Sequence, residues 1–182
     1  MSLFFTADTH FNHARIIEHC KRPFADVNAM NAELIRRWNT AVQPSDDVYV
    51  LGDFAYKRAE GWPIADIFRQ LHGHKHLILG NHDQQARGVE QLGWVRVTPL
   101  VTVRWEGWRF EVCHYPLETW KNAARGYLHL HGHSHGSLKR VIPHRYDVGV
   151  DTMWAGFAPL SVHEILERAT AETFDPQDHH GD

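Results

Sequence analysis

Residues 3–10 read LFFTADTH, an apolar β-prone run from Leu3 to Ala7 that breaks into Asp8-Thr9-His10. A short run of this kind, bounded by polar residues, reads as a buried strand. The same order recurs along the chain. Val48 to Leu51 precedes Gly52-Asp53, His76 to Leu79 precedes Gly80-Asn81-His82-Asp83, Phe110 to Cys113 precedes His114, and Tyr127 to His131 precedes Gly132-His133-Ser134-His135. Strands that each end in a reactive loop are the layout of open α/β sheets, where ligands bind outside the carboxyl ends of the strands.

Helical patterns fill the intervals. Asp26 stands before apolar residues at Val27, Met30, Leu34, Ile35, Trp38 and Ala41, which follow the spacing of one helix face. A second helix is expected from Pro63 through Ile67, Phe68 and Leu71 to Gly73, a third after the capping box Ser161-Val162-His163-Glu164, and a short one after Asn12 with Ile16 and Ile17 turned inward. Glu106-Gly107 lies between two strand-like runs and predicts a hairpin, so the sheet is expected to be mixed. Asp147 to Val150 reads as one more strand.

Composition narrows the function classes. The chain has 182 residues, 43% of them hydrophobic and 12% aromatic, enough to build a core. We expect one domain over residues 1–174 and a frayed tail over 175–182 that carries His179 and His180. A net charge of −3 argues against a broad polyanion-binding surface, so any nucleic-acid contact would be local. Two cysteines are too few for a disulfide framework or a thiolate zinc site and point to a reduced, cytoplasmic setting. No apolar stretch approaches the roughly 18 residues of a membrane helix, so no membrane partner is expected. Nothing in the chain points to a protein partner.

Sixteen histidines are the outlier, and neutral imidazole is the commonest metal ligand. Asp8, His10, Asp53, Asn81, His114, His133 and His135 all stand at the predicted strand ends. Carboxylate and amide oxygens mixed with imidazoles suit divalent Mn, Fe, Co, Ni or Zn, with Mn our first expectation. Seven donors fit two ions sharing one carboxylate better than one ion. Two divalent ions, less two carboxylates and a hydroxide, leave a positive centre that favours anions, and phosphate esters satisfy it. His133 and His135 alternate by two, so both imidazoles are expected on one side of an extended loop. Glycines 52, 80 and 132 would let the backbone turn sharply at the strand ends.

The ordered blocks DxH, GD, GNHD, a lone His and GHxH resemble the calcineurin-like metallophosphoesterases. The resemblance spans Asp8 to His135 and extends more weakly through Val148 to Asp151 and Pro159. Residues 8–24, DTHFNHARIIEHCKRPF, look like the opening of a compact bacterial and phage subgroup. The resemblance implies a four-layer α-β-β-α sandwich with two mixed β-sheets and two metals at the strand ends. It implies that Asp8, His10 and His135 hold one metal, that Asn81, His114 and His133 hold the other, and that Asp53 bridges them. A metal-bridging hydroxide would attack phosphorus while His82, beside the pair, protonates the leaving group. A phosphodiesterase is the preferred reading. A phosphomonoesterase or nucleotide pyrophosphatase on the same site, and a non-catalytic metal-binding scaffold, are the rivals. The substrate is a phosphate ester, with a nucleotide or nucleic-acid end as one form of it.

Other residues carry weaker expectations. His13 and Arg15 follow the first block and could reach a phosphate oxygen. Asp83 would orient an imidazole rather than ligate. His131 reads as a strand histidine with a backbone partner, and His72, His74 and His76 as solvated. Lys57, Arg58, Lys139 and Arg140 are rim charges, and Trp154 could wall the site.

Overall fold

The computed structural model describes residues 1–56, 61–86 and 88–171. The expected tail with His179 and His180, and the rim candidates Lys57 and Arg58, lie outside the described residues. The elements run β1 (Leu3–Thr6), α1 (Ala14–His19), α2 (Val27–Ala41), β2 (Asp47–Val50), α3 (Ile64–Gln70), β3 (His74–Ile78), β4 (Arg96–Thr98), β5 (Leu100–Trp105), β6 (Trp108–Cys113), β7 (Leu128–His131), β8 (Arg145–Asp147), β9 (Leu160–Ser161) and α4 (Val162–Thr170).

They form two mixed sheets, ordered β4-β3-β2-β1-β9 and β5-β6-β7-β8. In the first, β1 to β4 are parallel and β9 runs antiparallel beside β1; in the second, the β5–β6 hairpin is antiparallel and β7 and β8 continue parallel. Alternation along the strands separates two cores. Phe4, Val48, Val50 and Leu77 meet Ile16, Leu34, Trp38 and Ile67 from the helices α1, α2 and α3. Phe5, Leu51 and Ile78 turn the other way onto Phe110, Val112, Leu128 and Leu130 of the second sheet. Each such side chain contributes about 1.5–3 kcal/mol when fully buried. Helix α4 follows β9 and packs by β9 and β1, where Val162, Ile165 and Ala169 join the core between the sheets. Two mixed sheets packed face to face, with helices α1 to α3 on the outer face of the first, give the expected α/β sandwich.

Local chemistry accounts for the helix starts. The Asp26 carboxylate accepts the Ala29 amide, and Ser161 and Glu164 form a reciprocal capping box. At the hairpin, Glu106 and Gly107 both take positive φ, which suits a two-residue turn between Trp105 and Trp108.

Several expectations change. β8 stops at Asp147, and Gly149 instead bridges to Ala7. The two short strands β4 and β9, three and two residues long, had no sequence signal at that length. His74 is exposed as expected, but His72 and His76 are only partly exposed and each has a partner. His72 bonds the Val42 carbonyl at 3.0 Å, while His76 stacks on Tyr49 at 4.3 Å and meets Asp47 at 3.2 Å. Among the described residues no helix is long and apolar enough to cross a membrane.

Candidate metal centre

The strand-end loops are stitched to one another by backbone bonds. Asp8 N–H donates to the Gly52 carbonyl at 3.0 Å and His10 N–H to the Asp53 carbonyl at 2.9 Å. Asp83 ties the next pair of loops, its carboxylate accepting the amides of Asp53, Phe54 and Gly80 at 2.8–3.0 Å. The expectation that Asp83 orients an imidazole is corrected: both of its oxygens are taken by backbone amides, so it holds the Asp53 and Asn81 loops in register.

Five of the seven donor residues sit in left-handed backbone: Asp8, His10, Asp53, His133 and His135, with φ between 48° and 67°. Such conformations are strained for residues bearing a Cβ and persist only where the surroundings impose them. The GHSH segment is therefore a turn, with the Ser134 amide bonded to the Gly132 carbonyl, and not the extended loop expected from spacing. Gly52 has φ 85° and is needed for conformation, whereas the reason for Gly80 and Gly132 is closeness. A Cβ on Gly80 would lie 2.3 Å from the Asp53 carboxylate, and one on Gly132 2.5 Å from the Ala7 Cβ.

Donor atoms of Asp8, His10 and His135 lie within 4.8 Å of one another, as do those of Asp8, Asp53 and His114. Asp53 Oδ2 stands between the two groups, 3.6 Å from His10 Nε2 and 3.6 Å from His114 Nε2. Asn81 Oδ1 is 3.1 Å from His114 Nε2, and the His133 ring is 5.1 Å from the His114 ring. Thus the fold brings all seven together.

The Asp8–His10 side of the cluster is not satisfied within the protein. Asp8 Oδ1 and both ring nitrogens of His10 are buried with no hydrogen-bond partner, although such groups are nearly always paired. Burial holds the Asp8 carboxyl well above its usual range, and burial, followed by the nearby cations, depresses His10. Buried carboxylate oxygens and imidazole nitrogens converging without partners fit divalent transition-metal ions, which would supply the missing bonds.

His82 lies at the open side. Its amide donates to Asp53 Oδ1 at 2.8 Å, its Nε2 is 3.9 Å from Asp53 Oδ2, and its side chain is 30% exposed, against 2% for His10. A proton donor that must reach a substrate needs that exposure. His13 packs flat on Tyr56, 4.0 Å between centroids and 3° between planes, and 6.0 Å from His82. Burial, then the neighbouring His82, lowers it to about 4, so it is neutral at pH 7. Arg15 is exposed on α1. His131 is buried with Nδ1 on the Gly132 carbonyl, as expected of a strand histidine. Trp154 bonds the Asp147 carbonyl at 2.9 Å and packs on the core between the sheets.

Sequence reasoning gave no role to Arg22, Asp151 or Cys20. His135 Nδ1 is 2.6 Å from Asp151 Oδ2 and 3.3 Å from Cys20 Sγ, and Arg22 pairs with Asp151 at 2.7 Å. Burial would lower His135, but the Asp151 and Cys20 contacts outweigh it and raise it to about 10 in the metal-free protein. A lone Arg in a run of polar residues carries no sequence signal of this kind. Beside His135 opens a cleft of about 470 Å³, lined among others by His131, Arg140, Arg145, Asp151, Trp154 and Arg168.

The profile of the calcineurin-like phosphoesterases matches residues 1–179. The chain is 29% identical over 169 residues to an uncharacterized protein of Methanocaldococcus jannaschii, spanning 91% of this chain and 89% of the relative. It is 27% identical over 199 residues to the gene 66 protein of Mycobacterium phage D29, spanning 91% and 96%. Its fold is similar to that of a protein of unknown function from Aquifex aeolicus, with a TM-score of 0.72 and 23% identity over 91% of this chain and 98% of that one. The chain belongs to the calcineurin-like phosphoesterases and is a metal-dependent phosphoesterase.

Proposed function

We propose that this calcineurin-like phosphoesterase is a two-metal phosphodiesterase with His82 as the general acid. The observation that carries the reading is the pair of donor groups that converge on either side of Asp53, with the buried atoms of Asp8 and His10 left unpartnered. Asp8, His10 and His135 would hold one ion, Asn81, His114 and His133 the other, with Asp53 between them. When bound, the two ions would polarise the phosphoryl oxygens and lower the pKa of water at the centre. Manganese is the ion we expect.

The chain's own residues do the rest. His82 is anchored through its amide yet exposed at its ring, so a protonated imidazole can follow the leaving oxygen and deliver a proton. His13, neutral and stacked on Tyr56, backs that ring without adding charge and is a candidate contact for a phosphate oxygen. Arg15, exposed on α1, is a weaker candidate for the same role. The cleft beside His135 offers room for a second ester arm, which favours a diester over a monoester. A nucleotide or nucleic-acid end is one such substrate. Cys20 and Cys113 are both unpaired, in keeping with a cytoplasmic setting, and we take residues 1–174 as one domain.

The test is the leaving-group dependence of His82→Ala. Alkoxides need a proton on departure and nitrophenolate does not. The variant is expected to keep both metals and to lose about 10²- to 10⁴-fold more activity on alkyl or ribose diesters than on bis(4-nitrophenyl) phosphate. Equal loss on both, with full metal content, would remove the general-acid role; faster turnover of 4-nitrophenyl phosphate than of every diester would establish the monoesterase.

A further inference from the structure

Two residues far apart in sequence meet beneath one half of the metal centre. Arg22 follows α1 and is buried, only 4% exposed. Its Nε donates to Asp151 Oδ1 and its Nη2 to Asp151 Oδ2, both at 2.7 Å, the parallel fork in which a guanidinium meets a carboxylate best. Nη2 also donates to the Asp8 carbonyl at 2.7 Å, and Nη1 to the Thr9 carbonyl at 2.9 Å and to Met30 Sδ at 3.4 Å. All five N–H donors of the guanidinium are therefore used.

The partners of that side chain are not scattered. The carbonyls of Asp8 and Thr9 belong to the turn whose left-handed residues, Asp8 and His10, supply two of the donors. Asp151 Oδ2 passes the contact on to His135 Nδ1 at 2.6 Å, leaving His135 Nε2 as the ring's other nitrogen. Donor atoms of Asp8, His10 and His135 fall together within 4.8 Å. Among the described residues, none of the Arg22 hydrogen bonds goes to Asp53, Asn81, His114 or His133. That half is tied instead by Asp83, through the amides of Asp53, Phe54 and Gly80.

We propose that Arg22 is a positioning residue that, together with Asp151, sets the affinity of the Asp8–His10–His135 metal position and leaves the other position to Asp83. The proposal rests on the two-metal reading above. A lysine cannot replace Arg22, because one ammonium with three donors cannot span a carboxylate edge and two carbonyls at once. An asparagine at 151 keeps the volume but loses the charge that both Arg22 and His135 meet.

The experiment is Mn titration of the full chain, wild type, Arg22→Lys, Asp151→Asn and the double variant, with free Mn counted by electron paramagnetic resonance. The melting temperature and circular dichroism of each metal-free protein are recorded alongside. Each single variant is expected to weaken one Mn equivalent by about 10- to 100-fold and to leave the other within about threefold. The double variant should be no weaker than the poorer single variant, because the two residues act as one unit. Wild-type affinity at both positions in both single variants would overturn the proposal. So would equal weakening of both positions in step with a lowered metal-free melting temperature, which would make Arg22 a general strut. A wild type that binds one Mn, weakened by the variants, would sink the two-metal reading and keep the positioning role; a wild type that binds none would sink both.

Discussion

His10 and His129 are both fully buried histidines, and the partners of their ring nitrogens separate two regions of the molecule. His129 lies on the outer face of the second sheet, where Nδ1 meets the Glu111 carbonyl at 2.8 Å and Nε2 accepts the Leu117 amide at 3.0 Å. His10 lies at the end of β1 with neither ring nitrogen partnered. Burying an unpaired polar group costs free energy, so a fold that repeats the cost at Asp8 and His10 is holding those atoms for something else. Burial of histidine is therefore not by itself the sign of chemistry; at His10 the sign is burial of both ring nitrogens without a hydrogen-bond partner beside an equally unpartnered Asp8 oxygen. Backbone conformation marks the same boundary, since His10, His133 and His135 are left-handed while His129 and His131 sit in regular strand.

The largest expected effect breaks the site side of this comparison. Asp53→Asn removes the charge that stands between the two donor groups while keeping the volume. Metal content should fall towards zero and turnover by at least ~10³-fold. Elemental analysis and kinetics on bis(4-nitrophenyl) phosphate check it, and two retained equivalents of Mn would show that Asp53 does not bridge.

The next pair of variants turns the comparison into opposite signs of stability. His129→Ala removes a ring with both nitrogens satisfied and should destabilise the metal-free protein by about 2–4 kcal/mol, with metal content preserved. Asp8→Asn relieves a buried carboxyl and should stabilise the metal-free protein by about 1–2 kcal/mol while abolishing activity. Urea unfolding of the two variants in chelator measures both. A destabilised Asp8→Asn would mean that the aspartate is a structural group like His129.

These contrasts also explain how much was legible in the sequence. Strands β1, β2, β3, β6 and β7, and the seven residues that converge at their ends, could be read because each of these strands ends in a block whose order is itself informative. Helices α2 and α4 could be read because Asp26 and Ser161 cap them in ways that spacing reveals. Arg22 could not be read, because its partners are the carbonyls of Asp8 and Thr9 and a carboxylate 129 positions away, and carbonyls carry no sequence identity. The reason for Gly80 and Gly132 was misread for a related cause: close approach between loops is set by tertiary packing, whereas a turn is set locally. Asp83 was placed near an imidazole on proximity in sequence to His82, but the backbone amides of Asp53 and Phe54 in another loop and of Gly80 in its own loop reach it first.

The smallest effect is a slope, and it reports the satisfied region. Burial first, against its backbone bonds, lowers His129 to about 4, and His131 likewise to about 4. In the unfolded chain both titrate near 6.5. Between pH 6.5 and about 4 the unfolded state therefore takes up protons that the folded state refuses, and stability falls as pH falls. Each group contributes about 1.4 kcal/mol per pH unit across that window and its full stabilisation above it. Asp8, Asp83 and Asp147 are raised by burial and oppose this slope, so the measurement must be a difference. Relative to His129→Gln, which hydrogen-bonds but does not titrate, the metal-free wild type should lose about 1.4 kcal/mol per unit from pH 6.5 downward and nothing above. His135 has the opposite sign: raised to about 10 by Asp151 and Cys20 against burial, it stabilises below pH 6.5 and loses that contribution as pH rises towards 10. Asp151→Asn should therefore flatten the alkaline limb and His129→Gln the limb between pH 6.5 and about 4; the Asp151 carboxyl, which burial would raise but His135 and Arg22 hold low, adds its own acid-side loss only below that window. If one variant flattened both limbs, the two sets of histidines would be a single coupled network and the division between them would fail.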